Sequence, residues 1–503
     1  MLRETKTENG WVRGIPAADP RITAFKGLPF AAPPVGDLRW RAPQPAADWD
    51  GVLDCARFGP ISMQETPGLG GGFYDKEWHV DPDIPMDEDC LYLNVWTPAK
   101  AADEKLPVMV WIFGGGMACG YPAELEFDGE RIARRGVILV SVNYRLNAFG
   151  FLAHPELTKE AAAHGEIGLN FGLLDQQAGI RWVKRNIAAF GGDPENITVF
   201  GQSAGGRSTW MQVTSPANRG LFQKAIVQSG ALDSGIATYP DLGQAETEGQ
   251  DFLKDLGVHS IAEARALPAK EVLKKALACR PFRWGPIIDG KFLPVSPVKA
   301  FALHLENDVA LMAGDTADEV RGLRPAPDAE AFRVKMAARY GDDWPEFDRL
   351  TNVKDEESLQ RYYESPAFNT FEIGNHYAAA KRLECGGKPV YLYRFNPDIP
   401  GDNAGSFHSS DLWFVFETLA KCWRPFRGAH YDLARRMCNY WTNFAKNGDP
   451  NGPDSDGRPM PDWQPVSGSA WNVMMLGNEQ FTAREAADPV LAFEMDRLDR
   501  KNR

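Results

Sequence analysis

The chain has 503 residues, 44% hydrophobic and 24% charged, with a formal net charge of −13 at pH 7. That is the balance of a globular protein with a sizeable core. The acidic surplus, with no basic run longer than Arg134-Arg135, argues against nucleic acid and anionic membrane surfaces as partners. No apolar run approaches the roughly 18 residues that span a bilayer, and the opening MLRETKTENGWV reads as neither signal peptide nor anchor. Seven cysteines, an odd number at low density, imply no disulfide framework and point to a reducing cytoplasm. Without CxxC or HExxH spacings, a metal site has little support and none is expected.

In chain order, the first hundred residues carry short strand signals, ITAF at 22–25 and LYLNVW at 91–96. They lie among prolines and glycines and suit an antiparallel edge. Continuous apolar runs follow at 107–113 (PVMVWIF), 137–142 (VILVSV), 197–200 (ITVF), 225–227 (AIV), 309–313 (VALMA) and 390–395 (VYLYRF). Runs without alternation suit strands buried on both faces of a parallel sheet. Helical patterns such as 173–187 (LLDQQAGIRWVKRNI) separate them, which predicts a doubly wound α/β architecture. Intervals 235–300 and 320–385 are charged, helical in pattern and poor in strand signal. They read either as helices decorating the core or as a cap over a site. A length prior alone suggests about three domains; without repeats or low-complexity linkers, a single domain over 1–503 is the better expectation.

Gly201-Gln202-Ser203-Ala204-Gly205 follows the ITVF run immediately. A GxSxG pattern is weak alone, but here it sits at a strand end. A nucleophilic serine on a sharp strand-to-helix turn needs glycines two residues either side, where Cβ atoms have no room. A second feature supports it: Phe113-Gly114-Gly115-Gly116 ends the PVMVWIF strand. Bare backbone N–H groups there can hold the oxyanion of a tetrahedral intermediate, with the N–H of Ala204 as a further donor. The plain alternative, a flexible turn, fits poorly after so well marked a strand.

The order in this chemistry is serine, acid, histidine, and five histidines follow Ser203: His259, His304, His376, His408 and His430. His376 lies in a helical pattern, His430 precedes another, and His259 and His304 fall in helical surface-type sequence. His408 alone sits in a small-residue loop, GDNAGSFHSSD, soon after the last strong strand, and is the expected base. The acid must accept the other imidazole N–H and fix its tautomer. After VALMA come Asp315, Asp318 and Glu319, which spacing cannot separate. Trp210 and Trp413 lie near these motifs and could line a substrate pocket or simply pack the core.

These residues resemble the type-B carboxylesterases, the cholinesterase-like branch of the α/β-hydrolases. The resemblance is carried by FKGLPFAAPPVGDLRW (25–40), EDCLYLNVW (88–96), the FGGG segment, AFGGDPENITVFGQSAGG (189–206), IVQSG (226–230), ADE (317–319) and FHSSDLWFVF (407–416). It implies the α/β-hydrolase fold, a mostly parallel sheet flanked by helices with helical insertions capping the site. It also implies a triad of Ser203, Glu319 and His408, with Gly115, Gly116 and Ala204 as the oxyanion hole. Arg39 and Glu88 would form a structural ion pair, and Ser229 a buried hydroxyl behind the site. Secreted members pair a cysteine like Cys90 with one where this chain has Met63; Cys55 is offset, so Cys90 should be a free buried thiol in a bacterial-type, cytoplasmic enzyme. Gln202 replaces a frequent glutamate, which argues against a cationic alcohol group, and Val320 replaces the usual glycine after the acid.

The expected reaction is hydrolysis of a small-molecule ester through an acyl-enzyme, with no cofactor. Substrates would be neutral, apolar or aromatic esters. Hydroxycinnamoyl esters or amides would suit the same mechanism. A non-catalytic binding protein is the rival from another class, but such proteins typically lose the serine that this chain retains.

Overall fold

The computed structural model describes residues 1–503 except 67, 69–72, 79–80, 233–238, 280–282, 320–325, 469–470 and 486–487, and the side chain at 366. Among the described residues, eleven strands form one sheet. Across it they run Gln480–Glu485, Trp471–Leu476, Val390–Phe395, Ala310–Thr316, Lys224–Gln228, Gly192–Gln202, Leu106–Ile112, Ile138–Val142, Tyr92–Thr97, Thr23–Pro29 and Ile15–Pro16. From Trp471–Leu476 to Ile138–Val142 every pairing is parallel. The N-terminal strands add an antiparallel edge, as expected from their short, interrupted runs. A second antiparallel edge, the hairpin of Trp471–Leu476 and Gln480–Glu485, was not read from the sequence. Its outer strand has no buried residue, so it lacks the continuous apolar run that marks a doubly covered strand.

The apolar runs became buried strands because helices cover both faces. Phe171–Asn186, expected at 173–187, places Leu173, Leu174, Ile180, Trp182 and Val183 in the core. Parallel strands all end on the same side of a sheet, where open α/β folds place their sites. Register aligns these ends: Ile112 lies opposite Gly201, and Gln228 lies opposite both Gln202 and Gly314.

The two strand-poor intervals are helical, and they differ. In the first, Leu242–Leu256 packs so closely that a Cβ at Gly249 would strike the Ala153 carbonyl, and Ile261–Ala266 is held by Arg39. In the second, Ala329–Tyr340, Trp344–Thr351 and Glu356–Tyr363 build a small separate core around Phe332, Phe347 and Tyr362. The helix Thr370–Glu384 then returns toward the sheet, and Phe371 at its start lies against His408 (ring centroids 5.6 Å apart). Among the described residues no helix is long and apolar enough to cross a membrane.

Candidate active site

Ser203 stands between Gly192–Gln202 and the helix Ala204–Thr214 with φ 57° and ψ −122°, a backbone conformation that costs strain in any residue with a Cβ. Its N–H donates to the Gln228 carbonyl (2.9 Å), locking the turn to the next strand. The flanking glycines are required by contact. A Cβ on Gly201 would lie 2.4 Å from the Gly205 oxygen, and one on Gly205 would lie 2.0 Å from the Ile112 oxygen. The sharp turn therefore presses against the end of Leu106–Ile112, and this brings the Gly-rich loop beside the serine.

That loop is equally constrained. Gly115 has φ 104° and Gly116 φ 66°, and a Cβ on Gly115 would meet the Cys119 carbonyl at 2.1 Å. The Gly115 carbonyl accepts from Ala118 and Cys119 (both 3.0 Å). Gln64 braces the far end, accepting from the Gly120 N–H (2.8 Å) and donating to its carbonyl (3.1 Å). Among the described residues, the N–H groups of Gly115 and Gly116 have no acceptor. The Ala204 N–H opens a helix, where the first N–H groups lack intrahelical partners. Three uncommitted donors around one serine suit developing negative charge.

Of the five downstream histidines, His408 reaches the serine: its Nε2 lies 2.8 Å from Ser203 Oγ. Its Nδ1 is hydrogen-bonded to Glu319 Oε2, and Glu319, whose side chain is fully buried, accepts from the Thr316 N–H through Oε1 (2.8 Å). Asp315 is turned away and accepts from Asn369 and Asn375 (3.0 and 3.1 Å). Asp318 is spent on the Ser406 N–H (2.8 Å), which fixes the loop that carries His408. His376 is buried against Trp471, and His430 caps a helix by accepting from the Arg427 N–H. His259 and His304 occupy turns beside short helices. Burial opposes the His408 imidazolium, but the charge and hydrogen bond of Glu319, helped by Asp411, outweigh it, and the group titrates above an ordinary histidine.

The two tryptophans are inner packing residues. Trp210 is fully buried, donates to the Gly230 carbonyl (2.9 Å) and meets Phe301 edge-on, so it does not form a pocket wall. Trp413 is 1% exposed and stacks beneath Trp78 (5.9 Å). One layer out from Trp413 lies a further aromatic group that the sequence reading did not single out. Trp78 stacks on Tyr74 (6.2 Å), Phe73 meets Phe407 edge-on (4.9 Å), and the Tyr74 hydroxyl donates to the His408 carbonyl (3.4 Å). The usable signal was aromatic density, FYDKEW in a Gly- and Pro-rich stretch. Asp411 was also missed. It is fully buried three residues after His408, accepts from Gln228 Nε2 (2.8 Å), and burial pushes its carboxyl up to about 6.

The remaining expectations have clear positions. Arg39 and Glu88 form a bidentate pair (both bonds 2.6 Å), and Arg39 also donates to the Ala264 and Leu267 carbonyls. All seven cysteines are free; Cys90 and Cys55 are buried, and so is Met63. Ser229 Oγ is fully buried with no partner among the described residues. Gln202 is 2% exposed beside the serine. Val320 lies outside the described residues.

Comparison with known proteins shows the family and the fold. A profile of the carboxylesterase family matches residues 2–493. Para-nitrobenzyl esterase of Bacillus subtilis is 35% identical over 476 residues, covering 88% of this chain and 90% of that one. Fumonisin B1 esterase of Sphingopyxis macrogoltabida is 33% identical over 470 residues, 88% of this chain and 82% of that one. A solved PNB esterase superposes with a TM-score of 0.79 at 30% identity, covering 99% of this chain and all of that chain. The sheet and its flanking helices are those of the α/β-hydrolase fold.

Proposed function

The chain belongs to the carboxylesterase family and is a carboxylic ester hydrolase, and on that premise we propose that it works through an acyl-enzyme on Ser203. The observation that carries the reading is the line of hydrogen bonds from Ser203 Oγ through His408 to buried Glu319. His408 takes the serine proton as Oγ attacks the ester carbonyl, and Glu319 holds the imidazole and stabilises its cation. The N–H groups of Gly115, Gly116 and Ala204 receive the oxyanion. His408 then protonates the leaving alcohol and activates the water that releases the acid.

The substrate class we favour is neutral esters with an apolar or aromatic group. Phe73, Tyr74, Trp78, Phe371 and Phe407 gather around His408, and Gln202 puts no charge beside Ser203. Hydroxycinnamoyl esters fit that wall as well as simple aromatic esters do, and the same residues could cleave amides. Seven free cysteines favour a reducing compartment such as the cytoplasm.

Ser203→Ala should fold normally and lose about 10⁴-fold or more in kcat, and an organophosphate should label Ser203 stoichiometrically in the parent. Label on any other residue would overturn the mechanism. Matched esters and anilides, varied across acyl and alcohol groups, test the substrate class; a preference for cationic alcohols would overturn the neutral-pocket reading.

A further inference from the structure

We propose that His304, Glu306 and Cys385 form a binding site for a divalent metal ion of the zinc class. One imidazole nitrogen, one carboxylate oxygen and the thiol sulfur lie within 4.8 Å of one another. His304 and Glu306 belong to the turn after the helix Pro297–Ala302, and Cys385 caps the end of Thr370–Glu384. Zinc takes these three donor types at about 2.0–2.3 Å, which sets tetrahedral donors roughly 3.4–3.8 Å apart. A side-chain contraction of about an ångström therefore closes the set.

Glu306 points independently to a missing cation. Its side chain is 2% exposed, yet its Oε2 has no hydrogen-bond partner among the described residues. A buried carboxylate oxygen without a donor is costly. Arg382 Nη1 pairs with Oε1 at 3.5 Å and its Nη2 turns to Asp308 (2.5 Å) and the Val309 carbonyl (3.0 Å), so Oε2 is the carboxylate oxygen left without a donor among the described residues. Glu384 Oε2 lies 3.8 Å from His304 Nε2 but already accepts from Lys381 Nζ (3.0 Å), so the fourth position falls to water. His304 and Cys385 are exposed, which leaves the ion a way in. The Cys385 thiol now donates to the Arg382 carbonyl (3.4 Å); on coordination it releases its proton to solvent and binds as thiolate. A second cluster, Glu372, His376 and Glu485, offers no thiol and buries both Glu372 and His376, and Arg394 pairs with each of its two carboxylates.

The site lies at the start of Ala310–Thr316, and Glu319 follows the end of that strand. Seven residues at about 3.3 Å each separate the two by roughly 20 Å, so ester turnover should not depend on the ion. The test uses EDTA-stripped protein, with zinc followed by calorimetry and cobalt by thiolate charge-transfer absorption. Tight zinc binding and a cobalt–thiolate band are expected. Cys385→Ser should abolish the band, and Cys385→Ser and His304→Ala should each weaken zinc at least about tenfold, with esterase activity unchanged. Absence of binding, or binding that neither variant weakens, would overturn the proposal. So would loss of binding in His376→Ala alone, which would place the ion at the other cluster.

Discussion

The central strands Ile138–Val142, Lys224–Gln228 and Ala310–Thr316 bury every residue they contain. The helices between 329 and 363 bury one face each, around a stack in which Tyr340 and Phe347 lie 4.0 Å apart, closed by Phe493 of the C-terminal helix Pro489–Asn502. Both regions are well packed, but they tolerate movement differently. The strand ends hold Gly201, Gly205 and Gly115 against backbone with no space for a methyl group, so a small shift there displaces Ser203 or the proposed oxyanion donors. Among the described residues, the helical annex packs around a core of its own. Chemistry and a share of the stability are thus carried by different parts of the molecule and should be separable.

The sharpest break is within the strand-end region. Glu319→Gln keeps volume but removes the acceptor that fixes the His408 tautomer. It should cost on the order of 10³ to 10⁴ in kcat, as wrong-tautomer changes do elsewhere. Asp315→Asn and Asp318→Asn should leave most activity. A crippling Asp318→Asn beside a mild Glu319→Gln would reverse the assignment.

Matched deletions then test the two cores. Trp111 is fully buried against Phe127, Phe200 and Phe416, in the strand that feeds the glycine loop. Trp111→Ala should cost about 3–5 kcal/mol and take activity with it. Phe347→Ala removes comparable packing, also about 3–5 kcal/mol, but the loosening should stay local. Hydrogen exchange should accelerate between 329 and 363 while Ser203 labelling keeps its rate within roughly twofold. Equal loss of labelling in both variants would show that the two cores unfold as one. Smaller still, reductant should leave melting temperature and activity unchanged, because all seven cysteines are free; a large fall would contradict that.

The legibility of the sequence followed the same division. Strands buried on both faces announce themselves as unbroken apolar runs, and 390–395 matched its strand residue for residue. Gly201 and Gly205 were readable because the serine's backbone excludes every alternative side chain. The acid was not readable from spacing. Asp315 lies near the end of the strand Ala310–Thr316, with Asp318 and Glu319 just beyond it, too close in sequence to separate. Only the resemblance singled out Glu319 before the path of the chain placed its carboxylate against His408. Phe73, Tyr74 and Trp78 reach the site from more than 300 residues before His408, which no local periodicity encodes. The same holds for His304 and Cys385, whose juxtaposition depends on two helix ends meeting.

The smallest expected change of any size concerns the pH dependence. His408 must be neutral to accept the serine proton, so kcat/KM should fall on the acid side through its ionisation. Burial lowers that ionisation, but Glu319 and then Asp411 raise it further, so the net direction is upward. The acid limb should therefore lie above the ordinary value near ~6.5, with a plateau on its alkaline side. Asp411 carries charge over most of that range, its own carboxyl being pushed up to about 6 mainly by burial. Asp411→Asn removes that charge and leaves Glu319 alone to oppose burial. The acid limb should then move to lower pH by a fraction of a unit, while the plateau kcat stays within about twofold. A limb that stays in place or moves upward would show that Asp411 does not act on His408 through charge. A parent profile peaking near ~4, in the carboxylate range, would remove His408 as the base altogether.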